Sequence, residues 1–280
     1  MLKFCKITCR VRDEIKPPFF IGSKLRGSFG WALKAVDGAL FEDFFAAKNG
    51  AHPYRFDFAL DAPKFDFSLY LFDKATQNAP VVCIALHKML AQMGLKIHAQ
   101  SVVFRDFVLF LDGGLVFESK NSKNGGNFDF NAFNGDFGAI LNLADLKREF
   151  EAKNSPQNAI LRLLTPLRIK KNNAFVRSGN GLDFNDILGS IYRRYNELLG
   201  RERVKAPHFD GELVCANAYF TELVRKSSRQ NALMSLGGLL GDFELCGLNA
   251  QSYAFLRLGE LIGVGKSCVF GLGKIKLEMI

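Results

Sequence analysis

The hydrophobic pattern at the start of the chain changes from one period to another. Residues 2–12 alternate between apolar and polar positions, which is typical of a half-buried strand, and the apolar side carries Cys5, Ile7, Cys9 and Val11. Residues 22–47 instead place an apolar residue at every third or fourth position, as Leu25, Phe29, Leu33, Val36, Leu40 and Phe44 show. This spacing predicts one long amphipathic helix after the first strand.

The remainder of the first half predicts two strands, a helix and a last strand. The turn sequence Asp61-Ala-Pro-Lys64 separates the two strands, and Gly94 ends the helix. The order strand, helix, strand, strand, helix, strand is typical of the ferredoxin-like fold. The predicted elements are strands at 54–60 and 67–72, a helix at 81–93 and a strand at 101–111.

The second half repeats this order after a stretch rich in Asn and Gly. We expect residues 113–155 to form an insertion or linker between an N-terminal domain, 1–112, and a C-terminal domain, 156–280. The predicted class is therefore α+β, with tandem ferredoxin-like domains. The second set of elements comprises strands at 158–170, 212–224, 236–246 and 268–279 and helices at 182–199 and 250–262.

The charge of the chain favours a polyanionic partner. The net charge is +9, and residues 156–280 hold 17 basic and 11 acidic side chains, against 20 and 17 in residues 1–155. A basic excess of this kind fits RNA, DNA or an anionic lipid surface, and equally a solvated basic surface. Charge alone does not choose among these.

Cysteine usage and hydropathy indicate a cytoplasmic protein. None of the six cysteines forms a C-x-x-C pair, so the sequence predicts buried reduced thiols and neither a zinc site nor a disulfide framework. The first ten residues lack the apolar core of a signal peptide. Charged residues or His interrupt the apolar stretches, so we expect no membrane-spanning segment.

The C-terminal end carries a glycine-rich loop between residues 263 and 273. Its pattern is Gly-hydrophobic-Gly, five residues, then Gly-hydrophobic-Gly, with Lys266, Lys274 and Lys276 close by. Exposed backbone N–H groups beside cations can hold a phosphate, although a simple glycine-rich turn has the same spacing. A nucleotide-binding P-loop is excluded, because Glu260 stands where that motif needs its first glycine and a strand follows instead of a helix.

Several segments together resemble the Cas-six family of the RAMP superfamily, the endoribonucleases that cut CRISPR precursor RNA. The glycine-rich loop is the most specific of them. The others are Leu25-Arg-Gly-Ser-Phe-Gly30 in the first helix, Leu164-Thr-Pro-Leu-Arg168, the basic turn Arg225-Lys-Ser-Ser-Arg229-Gln230, Leu236-Gly-Gly-Leu-Leu-Gly241 and Leu258-Gly-Glu-Leu-Ile262.

The resemblance implies metal-independent, cofactor-free cleavage of CRISPR repeat RNA that leaves a 2′,3′-cyclic phosphate and a 5′-OH. By its position after the first helix, His52 is the candidate base, with Lys48 and Tyr54 as its neighbours. An ordinary surface histidine is the competing interpretation. The residues expected to bind RNA are Lys24, Arg26, Arg225, Lys226, Arg229, Gly263, Gly265, Lys266, Gly271 and Gly273.

A second function stays open at this stage. A non-cleaving RAMP subunit that holds the processed CRISPR RNA (crRNA) in an effector complex, with other Cas proteins as partners, would use the same basic turn and glycine-rich loop. The two functions differ in the role of His52, which takes part in RNA cleavage only in the nuclease.

Overall fold

The architecture is taken from a computed structural model, which describes residues 1–45, 50–97, 100–119, 126–134, 137–152, 156–227 and 232–280. The contacts divide the chain into two compact units. One unit comprises Leu2–Ile140, and the other comprises Leu141–Ile280 together with Met1. In the part of the chain so described, no helix has both the length and the apolar character needed to cross a membrane.

The first unit contains the predicted βαββαβ series and short additions to it. Its four principal strands pair in the order β2-β3-β1-β6, all antiparallel, as in a ferredoxin-like sheet. The elements are β1 (Leu2–Val11), α1 (Gly22–Val36), α2 (Gly38–Phe45), β2 (Tyr54–Phe58), β3 (Phe67–Phe72), α3 (Ala79–Lys88), β4 (Leu95–Ile97), β5 (Gln100–Val102), β6 (Phe107–Leu111), β7 (Gly114–Glu118), β8 (Asn127–Phe128) and β9 (Ala139–Leu141).

The core of this unit lies between one face of the sheet and the helices. The alternating residues of β1 and the helical stripe of α1 are buried as their periodicities predict. The long helix expected over 22–47, however, divides at Asp37, whose backbone is extended and whose carboxylate accepts a hydrogen bond from the Leu40 amide at 2.9 Å. Asp37 thereby caps the start of α2, because its side chain satisfies an N–H group in the first turn.

The second unit has the same topology. Its sheet order is β13-β16-β10-β17, which is again the ferredoxin-like arrangement. The elements are α4 (Leu143–Ala152), β10 (Ala159–Leu167), β11 (Lys170–Lys171), β12 (Ala174–Phe175), α5 (Phe184–Leu198), β13 (Glu212–Thr221), β14 (Val224–Ser227), β15 (Ala232–Ser235), β16 (Gly238–Cys246), α6 (Ala250–Ile262) and β17 (Ile275–Met279).

The segment 113–155, expected as an insertion or linker, is shared between the two units. Strands β7 and β8 extend the first sheet beyond β6, and Val116 and Phe117 are buried there. Helix α4 packs instead on α6, where the Phe150 and Tyr253 rings lie 5.0 Å apart. The boundary between the units lies between Ile140 and Leu141, at the end of β9.

Candidate functional site

His52 lies in the connection between α2 and β2, and a backbone carbonyl orients its ring. The Nδ1 atom is 2.8 Å from the carbonyl oxygen of Phe44, in the last turn of α2. Because a carbonyl oxygen only accepts, Nδ1 must carry the proton of this hydrogen bond. A neutral His52 ring therefore has its lone pair on Nε2, and the half-buried side chain has the tautomer that a base needs.

Tyr54, the predicted neighbour of His52, belongs to the core. The phenol is fully buried and stacks on Phe44 at 5.5 Å with an interplanar angle of 15°. Burial raises the pKa of Tyr54 to about 12, although the nearby positive charge of Arg26 opposes this change. Because the side chain does not reach the surface, we correct its expected catalytic role to one of packing under His52, whose ring lies 5.9 Å away.

Arg26, expected only as an RNA-binding residue, lies beside the same aromatic cluster. Its guanidinium carbon is 4.7 Å from the centroid of Phe45, and its charge acts on Tyr54. Helix α1 thus brings a cation close to Tyr54, whose ring lies beside that of His52. Lys24 is exposed in the first turn of α1, and Lys48 lies outside the described residues.

The glycine-rich loop does not form the phosphate cradle that its pattern suggested. The N–H groups of Gly263, Val264, Gly271 and Gly273 donate to carbonyls of the same unit, and Gly265 donates to Ser190 Oγ at 2.9 Å. Gly263, Gly271 and Gly273 are also buried. Backbone donors that are used inside the fold cannot also hold a phosphate.

Close backbone packing explains the glycines instead. A Cβ atom at Gly273 would lie 1.8 Å from the Val264 carbonyl oxygen, and one at Gly265 would lie 2.4 Å from that of Arg168. Both residues also have positive φ angles, of 69° and 81°. L-residues avoid this region, and glycine does not. The loop is therefore a closely packed connection. Its packing fixes the position of Lys266, the one exposed cation of the loop.

Arg168 contacts both the glycine-rich loop and the base of the predicted RNA-binding turn, residues 225–230. The side chain is 6% exposed, its Nη1 donates to the Gly237 carbonyl at 2.5 Å, and its guanidinium lies 4.2 Å from the Phe175 centroid. Its carbonyl accepts from the Lys266 amide at 2.8 Å. Gly237 follows the paired strands β14 and β15, so Lys266 and this hairpin share one end of the second unit.

The remaining predicted RNA-binding residues lie on or near the hairpin. Arg225 and Lys226 are in β14, where the structure describes their backbone pairing with β15. Arg229 lies outside the described residues. Their role in binding RNA stays a prediction.

The sequence analysis missed one group of cations at this end of the unit. Lys170 is exposed at the start of a two-stranded turn, and its Nζ lies 5.0 Å from the Phe175 ring that also contacts Arg168. Arg177 packs 4.4 Å from the Phe220 ring and pairs with Glu222. The sequence Lys170-Lys-Asn-Asn173, a basic turn, was the signal that could have indicated Lys170.

The comparisons with known proteins agree with this architecture. Residues 161–275 match the family model of the CRISPR-associated endoribonuclease Cas6. No curated protein sequence matches the chain.

Three solved structures illustrate the shared fold. Thermus thermophilus Cas6 is 16% identical, with a TM-score of 0.52 over 99% of this chain and 98% of that one. A protein described as Cas6-related, from Pyrococcus furiosus, is 14% identical, with a TM-score of 0.53 over 99% and 98%. A partial Cas6-RT-Cas1–Cas2 complex, 14% identical with a TM-score of 0.52, matches all of this chain and 46% of its own.

These findings agree with the resemblance in the glycine-rich loop and the tandem ferredoxin-like units. The second unit therefore matches the family model of the CRISPR-associated endoribonuclease Cas6, and the chain shares its fold along nearly its whole length with the solved Cas6 structures.

Proposed function

We propose that this protein binds CRISPR repeat RNA and cuts the precursor crRNA without a metal ion, with His52 as the general base. The observation that carries the proposal is the hydrogen bond from His52 Nδ1 to the Phe44 carbonyl, which leaves the lone pair of the neutral ring on Nε2. The match of residues 161–275 to the model of the Cas6 endoribonucleases suggests the reaction class.

In the proposed reaction, His52 Nε2 takes the proton of a ribose 2′-OH. The 2′ oxygen then bonds to the adjacent phosphorus, and the bond from phosphorus to the 5′ oxygen breaks. The products are a 2′,3′-cyclic phosphate and a 5′-OH. Arg26, beside the same aromatic cluster, would stabilise the negative charge that develops on the phosphate oxygens. The leaving 5′ oxygen takes up a proton, and we propose Lys48, the predicted neighbour of His52, as its donor.

RNA binding would use cations in both units, among which Arg26 is half-buried and the others are exposed. Lys24 and Arg26 on α1 and Lys266 beside the hairpin β14–β15 can contact phosphates, which position an RNA without reading its bases. The buried glycines 263, 271 and 273 would support the loop from within the fold. Like the Cas6 of the partial Cas6-RT-Cas1–Cas2 complex, this protein is proposed to act with other Cas proteins.

A non-cleaving crRNA-binding subunit is the second candidate. The hydrogen bond that orients His52 also satisfies a carbonyl at the end of α2, so the residue has a structural use that needs no chemistry. In that case, the cations would hold the RNA and nothing would cut it.

Incubation of the purified protein with labelled repeat RNA in EDTA separates the two candidates. We expect one cut that a 2′-deoxy group at the cleavage site abolishes, because the 2′ oxygen is the nucleophile. His52→Ala should lower the single-turnover rate by about 100-fold or more, in the range of a lost general base. Stable binding without any cut by the wild type would favour the non-cleaving subunit.

Two further variants test whether His52 acts chemically. In His52→Asn the amide nitrogen can still donate to the Phe44 carbonyl, but the side chain does not accept a proton near neutral pH. We expect this variant to bind RNA like the wild type and to cut as poorly as His52→Ala. His208→Ala, at an exposed histidine of the second unit, is the matched control and should cut normally. Normal cutting by His52→Asn would show that the base lies elsewhere.

A further inference from the structure

Trp31 is the single tryptophan of the chain, and its side chain is on the surface. It lies in the middle of α1 and is 68% exposed, although the opposite side of this helix is buried through Leu25, Phe29 and Leu33. A large aromatic ring with so much free area contributes little to the core. The ring is therefore available for a contact with a partner.

The helix surface around Trp31 is basic and contains no acidic residue. Helix α1 carries Lys24, Arg26 and Lys34 and neither Asp nor Glu. Lys24 precedes Trp31 by seven residues, or about two turns, so the two side chains share one exposed face. Lys34 is also exposed, and its Nζ lies 5.6 Å from the Phe41 ring. This face is complementary to a polyanion.

The space beside Trp31 is open on the side of the preceding turn. Gly27, four residues before Trp31, is exposed, and a Cβ atom there would meet nothing within 4 Å. Side chains on a helix lean toward its N-terminus, so this open turn lies on the side toward which the Trp31 side chain leans. A flat ring could lie against the indole without displacing a protein side chain.

The same helix leads to the proposed cleavage site. Gly30, adjacent to Trp31, packs so closely on Phe45 that a Cβ atom would lie 2.9 Å from its ring, and Arg26 lies over that ring. Phe45 in turn contacts Tyr54, the support of His52, with ring centroids 5.6 Å apart. An RNA strand that reaches His52 therefore has α1 beside it.

We propose that Trp31 stacks on an unpaired base of the RNA, close to the nucleotide that is cut, while Lys24 and Lys34 hold the flanking phosphates. Stacking on an aromatic side chain is a common way to bind a single-stranded base, and it tolerates any base because each has a π face. The proposal rests on the proposed function. Trp31 would position the strand and would take no part in the proton transfers.

Intrinsic fluorescence tests the contact directly, because all tryptophan emission comes from Trp31. Titration with the repeat RNA of the host CRISPR array should quench the emission, since a stacked base lies against the indole. Heparin is the matched polyanion without bases. It should bind the basic face and leave the emission nearly unchanged, so quenching by RNA alone identifies stacking. Equal quenching by RNA and heparin would overturn the proposal.

Variants measure what the stacking contributes to binding. Trp31→Ala should weaken RNA binding by about 5- to 150-fold, the range for a lost base–aromatic stack. Trp31→Phe keeps an aromatic face and should recover most of the affinity. The effect should appear in the RNA concentration for half-maximal cutting and not in the rate at saturation. Phe130→Ala, at a 66% exposed aromatic residue outside α1, should bind and cut as the wild type does.

The outcomes separate this proposal from the proposed function. If the wild type cuts the repeat RNA, Trp31→Ala binds and cuts it equally well, and RNA leaves the emission unchanged, only the stacking proposal is overturned. The exposed face of α1 would then fit a protein partner. If the wild type neither binds nor cuts the repeat RNA, both proposals are overturned.

Discussion

At the scale of single residues, burial decides which titratable groups are available for chemistry. His87 is half-buried in α3, with its ring 4.5 Å from Phe117 and 5.2 Å from Phe128. Burial lowers the pKa of His87, because the charged ring loses its hydration among aromatic neighbours. His87 is therefore suited to the core, whereas His52 is held at the edge of the unit by a backbone carbonyl.

The lowered pKa of His87 predicts how stability depends on pH. The unfolded chain binds a proton at His87 more readily than the folded protein does, so folding is favoured when the ring is neutral. The contribution of neutral His87 to the free energy of unfolding is fully present above about pH 6.5. It is lost as the pH falls through the lower pKa that His87 has in the folded state. In His87→Leu, urea unfolding should show a smaller loss of stability between about pH 7.5 and pH 5.5 than in the wild type.

His208→Gln is the control for this measurement. His208 is exposed and lies in the second unit, so its replacement tests whether the change in pH dependence is specific to His87. Parallel pH profiles for the wild type and His87→Leu would contradict the assigned cause.

The residue scale also shows what could be foreseen at the candidate site. The position of His52 after the first helical segment was visible in the sequence, because a loop histidine beside a helix end is a local feature. The burial of Tyr54 and the approach of Arg26 were not, because they depend on how α1, α2 and β2 pack together. The sequence therefore indicated that Tyr54 lies near His52, and only the packing of the elements decided that its side chain is buried.

At the scale of elements, the glycine-rich loop joins α6 to β17 by close backbone contacts. The Val264 amide donates a hydrogen bond to the Gly273 carbonyl oxygen, with the two atoms 2.9 Å apart. Thr165, at the irregularity in β10, donates to the Gly271 carbonyl and accepts from the Lys274 amide, both at 2.8 Å. The motif thus stabilises one end of the second sheet.

This interpretation predicts a large loss of stability in Gly273→Ala. The new Cβ would meet the Val264 carbonyl in a conformation that alanine avoids, so we expect a loss of about 2 kcal/mol or more in the free energy of unfolding. Gly38→Ala is the matched control in α2, where a Cβ meets nothing within 4 Å. It should be neutral, or stabilising by up to about 1 kcal/mol. Denaturant unfolding measures both, and equal stabilities would refute the close-packing role.

At the scale of the whole molecule, the two units predict how the chain can be divided. A fragment of residues 1–140 keeps β7 and β8 beside β6, and a fragment of residues 1–112 removes them. The longer fragment should unfold cooperatively, because it retains the buried Val116 and Phe117. The shorter one should be less stable and prone to associate through the exposed edge of β6. Circular dichroism and size-exclusion chromatography test both expectations.

The second unit offers the corresponding comparison. Residues 141–280 include α4, whose Phe150 packs on Tyr253 of α6, and residues 156–280 do not. Equal stability of these two fragments would show that α4 is a dispensable linker, as the sequence alone suggested.

The sequence by itself determined the series of strands and helices, the ferredoxin-like order in both halves and the resemblance to the Cas6 family. These depend on short-range periodicity and motifs, which each segment carries with it. Only the tertiary structure decided that the glycine-loop amides are used internally, that Tyr54 is buried, that Arg26 approaches the support of His52 and that segment 113–155 is shared. Each of these depends on which distant residues meet when the elements pack, and no local pattern records that.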